Sequence, residues 1–77
     1  MIRLITVWLD NENDGSPIMR AACDFPSEDA AEAHVTDVVR AGVTRLKVGG
    51  GPEKNGAKLT AVCVPVGRIV GWYIWQL

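Results

Sequence analysis

Apolar and polar positions along this chain change period twice, and the changes outline its elements. "IRLITVWL" (2–9) is rich in β-branched and aromatic residues, with Ile2, Leu4 and Trp8 at one parity and Ile5, Val7 and Leu9 at the other. That is a strand with two apolar faces. The polar cluster "DNENDGSP" (10–17) is turn chemistry, and "IMRAACDF" (18–25) returns as the second arm of a hairpin. "VTRLKV" (43–48) reads as a short strand, "GGGPEKNG" (49–56) as a loop and "AKLTAVCVPV" (57–66) as a strand. "RIVGWYIWQL" (68–77) reads as the hairpin partner of 57–66 across a turn near Val66-Gly67.

Between these runs the period becomes helical. In "EDAAEAHVTDVVRAG" (28–42), Ala31, Val35, Val38, Val39 and Gly42 fall on one side at about 100° per residue, and Asp29, Ala33, Thr36, Asp37 and Arg40 fall opposite. Ser27 is placed to accept first-turn N–H groups, Glu28 and Asp29 stand at the positive end of the helix dipole, and Gly42 suits a left-handed terminus. The narrow stripe of small residues predicts a helix lying close against a sheet. The order β-β-α-β-β-β predicts an α+β fold: a single antiparallel sheet of about five strands with one helix on one face, in one domain spanning 1–77.

One helix covers one face of such a sheet, yet strands 2–9 and 68–77 are apolar on both. In the last strand Ile69, Gly71, Tyr73, Trp75 and Leu77 share one parity, and Arg68, Val70, Trp72, Ile74 and Gln76 the other. The expectation is a central terminal strand whose inner face lies under the helix and whose outer face meets another chain, a homodimer included. Trp72 and Trp75 are the candidates for that contact.

Charge adds a second asymmetry. The 77 residues carry a formal net charge of −1. Residues 1–37 nevertheless hold eight acids (Asp10, Glu12, Asp14, Asp24, Glu28, Asp29, Glu32, Asp37) against Arg3 and Arg20, whereas Glu53 is the one acid beyond them, among Arg40, Arg45, Lys47, Lys54, Lys58 and Arg68. An acidic pole (Asp10, Glu12, Asp14, Glu28, Asp29, Glu32, Asp37) suits a basic protein partner. The alternative is nucleic acid bound by Arg45, Lys47, Lys54, Lys58 and Arg68 on phosphate, with Trp72 or Tyr73 stacked on a base.

Chemical motifs fail on inspection. "DNENDG" (10–15) opens like a calcium loop, but its third position is Glu12 and its twelfth, which should chelate, is Ala21. "GPEKNGAKLT" (51–60) approaches a phosphate loop but has Ala57 where lysine belongs, with Lys58 one residue late, and strand-like residues follow it. Pairing His34 with Cys23 as base and nucleophile requires the helix to face that strand in one particular register, and two cysteines with one histidine without close spacing make a poor zinc site. Cys23 and Cys63, in apolar runs without paired spacing, read as reduced core thiols, with a disulfide as the alternative. No enzyme, cofactor or metal is expected. The opening run is too brief for a signal segment and no stretch reaches the length of a membrane span, which predicts a cytoplasmic protein without membrane contact.

With a hairpin, one acidic helix introduced by "DFPSEDAAEA" (24–33) and further strands, the chain resembles the small phage-encoded inhibitors known as anti-CRISPR proteins. The resemblance covers size and architecture and carries no motif, so it assigns no residue. It implies a non-enzymatic inhibitor or adaptor that blocks a basic, nucleic-acid-handling protein through acidic side chains.

Overall fold

The computed structural model describes residues 1–9, 18–48 and 53–77. It is an α+β protein with antiparallel strands throughout: β1 (Ile2–Leu9), β2 (Ile18–Phe25), α1 (Glu28–Ala41), β3 (Val43–Lys47), β4 (Glu53–Lys54), β5 (Ala57–Lys58), β6 (Ala61–Pro65) and β7 (Ile69–Gln76). The single five-stranded sheet expected from the sequence is divided into a three-stranded sheet in the order β2-β1-β7, a β3-β6 pair and a β4-β5 hairpin.

β1 is the central strand, paired along its length with β2 (Ile2 opposite Phe25 through Leu9 opposite Ile18) and with β7 (Ile2 opposite Gln76). Its alternation places Ile2, Leu4, Thr6 and Trp8 on a buried face. Two different elements cover that face. At one end α1 brings Ala31, completely buried, against Ile2 and Leu4, with Phe25, Val35 and Trp72 packed around them. At the other end the β3-β6 pair seats Leu46, Val48 and Val64 on Trp8, which is only 1% exposed, with Met19, Ala21, Val62 and Ile69 at the margins. Thr6 lies on β1 between Leu4 and Trp8, where these two clusters adjoin. Among the described residues no buried side-chain nitrogen or oxygen lacks a partner, as a low-dielectric interior requires.

α1 starts and stops where its capping residues require. Ser27 Oγ accepts from Ala30 N–H at 3.2 Å, and Gly42, at φ 79°, donates its N–H to the Val38 carbonyl. On the stripe, Ala31 and Val38 are buried and Val35 half-buried, but Val39 is 53% exposed, because the helix presents a narrower seam than five residues.

Pairing partners differ most from expectation. Segments 57–66 and 68–77 do not form a hairpin. A two-residue hairpin turn needs positive φ at its centre, whereas Gly67 is not among the positive-φ residues, and Val66–Arg68 forms a short 3-10 turn after Pro65. The turn delivers β6 to β3 and β7 to β1. β7 is therefore an edge strand rather than the central one. A positive-φ pair does occur at Asn55 (54°) and Gly56 (79°), which turn β4, inside the expected loop 49–56, back as β5, at the start of the expected strand 57–66.

A β-bulge between Val7 and Trp8 also breaks the alternation of β7. Trp8 pairs with Ile69 and Val7 with Gly71, so Val70 is the extra residue. Ile69 accordingly packs inward beside Trp8, while Tyr73, expected to share its face, points to the other side.

Replacing Trp8 with Ala should cost roughly 3 to 5 kcal/mol, much of the stability of a domain this size. Gly42→Ala should cost about 1 kcal/mol through its left-handed backbone alone, since an added Cβ would meet nothing within 4 Å. Urea denaturation followed by circular dichroism measures both, and a Trp8→Ala loss below about 1 kcal/mol would contradict the described core.

Candidate interaction surfaces

Three surfaces follow from this layering. The first is the face of the β2-β1-β7 sheet turned away from α1 and the β3-β6 pair. Strand parity and register build it in rows: Asp24, Arg3 and Trp75; then Ala22, Ile5 and Tyr73; then Arg20, Val7 and Gly71 with the bulged Val70; then Ile18 and Leu9. Tyr73 is 56% exposed, Trp75 57% and Val70 63%, and Leu9 and Ile18 are also exposed. An open concavity of about 390 Å³ lies among Ile5, Val7, Ile18, Arg20, Val70, Tyr73 and Trp75. Parity alone left open which tryptophan faces outward. The bulged register turns Trp75 to this face and Trp72 to the cluster of Ile2, Leu4 and Ala31.

Arg3 and Asp24 close one end of the face. Arg3 Nε donates to Asp24 Oδ1 at 2.9 Å and a terminal guanidinium nitrogen donates to Oδ2 at 3.2 Å. The hydrogen bonds and the opposite charge hold the Asp24 carboxyl below its usual range and raise Arg3 further. Both side chains are accessible to water, so solvent screens the pair and its contribution is small.

The second surface is the outward side of α1, where Glu28, Asp29, Glu32 and Asp37 are all exposed. Among the described residues none of these four carboxylates forms an ion pair, and exposed Arg40 stands in the last turn of the same helix, three residues beyond Asp37. Asp10, Glu12 and Asp14 lie outside the described residues. The helix hydroxyl of Thr36 donates to the Glu32 carbonyl at 3.1 Å and takes no part in the acidic face.

The third surface is basic. Arg45 and Lys47 alternate with buried Thr44 and Leu46 on β3 and so point away from the core, Lys58 is exposed on β5 and Arg68 in the 3-10 turn. The side chain of Lys54 is outside the described set. Because β3 packs on the inner face of the three-stranded sheet, Arg45 and Lys47 face the side opposite Tyr73 and Trp75, and Trp72 is turned into the core. Of the described cations, Arg45 and Lys47 therefore do not share a face with the exposed aromatics Tyr73 and Trp75.

The remaining chemical candidates do not converge. His34 is half-buried against Phe25, with ring centroids 5.2 Å apart. Cys23 and Cys63 are free and exposed, not the core thiols expected, since Cys23 lies on the edge strand β2 and Cys63 opposite Arg45 on the outer side of the β3-β6 pair. No group of three His, Cys, Asp or Glu side chains suited to a metal occurs among the described residues, and no described helix is long and apolar enough to cross a membrane.

The Arg3-Asp24 pair sets a pH dependence with a definite sign. A carboxyl held below its unfolded value adds stability at neutral pH, and this is lost as pH falls through the folded value. The difference in urea midpoint between the wild type and Asp24→Asn should be level above about pH 4, the ordinary carboxylate region, and shrink below it. A difference that grows on acidification would exclude the pairing. The chain matches no family model, no curated protein and no solved structure.

Proposed function

We propose that this chain is a non-catalytic protein-binding module, a small cytoplasmic inhibitor or adaptor of the anti-CRISPR type, whose acidic helix docks on a basic, nucleic-acid-handling protein. The observation that supports it is the segregation of charge: exposed Glu28, Asp29, Glu32 and Asp37 on α1, against the one exposed Arg40 in its last turn, with exposed Arg45, Lys47, Lys58 and Arg68 on other elements. A capped helix carries Glu28, Asp29 and Glu32 within about one turn and Asp37 five residues further on, so the backbone that presents them to a basic groove is already ordered. Such a surface raises the association rate by steering and makes binding sensitive to ionic strength. Occupying the groove denies it to nucleic acid and needs no chemistry from the inhibitor.

The double substitution Asp29→Lys with Glu32→Lys reverses this face while leaving the buried stripe alone. Affinity capture from a nuclease-treated bacterial lysate, compared with an untreated one, should retain a basic protein on the wild type. At least ten times less should be retained on the reversed variant, with unchanged circular dichroism, and capture should weaken as salt rises. Retention that vanishes with nuclease, or that ignores the charge reversal, would overturn the reading.

A further inference from the structure

The outer face of the β2-β1-β7 sheet is not used by the acidic-helix reading, and its composition points to one occupant. We propose that a second copy of this chain covers it, the two sheets packing face to face about a twofold axis that runs along the strands. The argument begins with side-chain size. The β7 side of the face is tall, carrying Trp75, Tyr73 and Val70, whereas the β2 side has Ala22 at the level of Tyr73. An axis parallel to the strands keeps each residue at its own level and exchanges the two edges. Tyr73 is thereby set over the partner's Ala22, and Trp75 beside the partner's Arg3-Asp24 pair. Tyr73 of each copy enters the gap left at Ala22 of the other, between Asp24 and Arg20, beside the 390 Å³ hollow.

Charge is compatible with the same axis. Asp24 is already paired with Arg3, which leaves Arg20 as the remaining charge within the rows. Exchanging the edges puts the two copies of Arg20 on opposite sides of the contact, about 10 Å apart or two strand spacings. Each can lay its stem on the apolar rows and its guanidinium toward a partner ring.

Area supports the same conclusion. Aromatic side chains carry roughly 150 to 250 Å² each, and Tyr73 and Trp75 are more than half exposed. With Leu9, Ile18 and Val70, one copy offers on the order of 500 Å² of apolar surface, at the upper end of what monomers leave bare. Two copies together bury about 1,000 Å², where specific interfaces begin, and the sheets would cross at about −30° as in a β-sandwich.

Gly71 supplies a test that spares the fold. It lies on this face opposite Val7, its φ is not positive, and a Cβ there would meet nothing within 4 Å. Sedimentation velocity from 1 to 200 micromolar should show a monomer-dimer equilibrium for the wild type. Gly71→Arg and, independently, Tyr73→Arg should weaken it at least tenfold with unchanged circular dichroism. The helix variant Asp29→Lys with Glu32→Lys should dimerise like the wild type, which separates this proposal from the one on partner binding. A wild type that stays monomeric at about 200 micromolar overturns it. So does a dimer that survives both face substitutions, as edge-to-edge pairing through β7 would.

Discussion

Everything in this molecule depends on β1 being hydrogen-bonded on both sides. A strand held between two neighbours cannot shift register without moving every side chain to the opposite face. The Ile2, Leu4, Thr6, Trp8 series is therefore held toward the interior along its whole length. A face eight residues long is wider than one 14-residue helix with a narrow seam of small side chains can cover. The fold answers by placing α1 over the Ile2 end and the β3-β6 pair over the Trp8 end. The separation into two clusters on one strand follows from that geometry.

The same division explains where the surfaces lie. With helix and strand pair both on the inner side, the opposite side of the sheet is left to the aromatic and β-branched residues of β7, β1 and β2. The result is a flat molecule whose smallest dimension is 17 Å. It exposes 5328 Å², against about 4,600 Å² for an average folded monomer of this mass. Acidic side chains ride on α1, and Arg45 and Lys47 on the outward side of β3, because those are the polar parities of elements whose other parity is buried. Charge segregation and the uncovered apolar face are consequences of one packing decision.

Much of this was legible in the chain. Strand limits at 2–9, 18–25 and 43–48 came from residue type and turn chemistry, and they agree with the structure to within a residue. The helix limits came from Ser27 and Gly42, whose roles are local: a hydroxyl within reach of the next turn and a backbone free to take φ 79°. The α+β class followed from the order of these pieces. The Asn55-Gly56 turn is equally local, but the glycines before it read as loop and the strands it joins are two residues each.

Period and capping are properties of neighbouring residues, so the sequence alone determined the helix, the longer strands and the fact that 2–9 and 68–77 carry apolar residues at both parities. Which strands pair is a non-local matter. It was decided by the 3-10 turn after Pro65, which denied β6 and β7 a hairpin and sent them to different sheets. The orientation of the aromatic residues was decided by one inserted residue: strict alternation would align Ile69 with Tyr73, but the bulge at Val70 lets Ile69 pack on Trp8 while Tyr73 and Trp75 look outward. A bulge of this kind is set by the fit of two strands to each other; Gly71 beside Val70 is the one local cue to it, and that cue does not say which residue is extra.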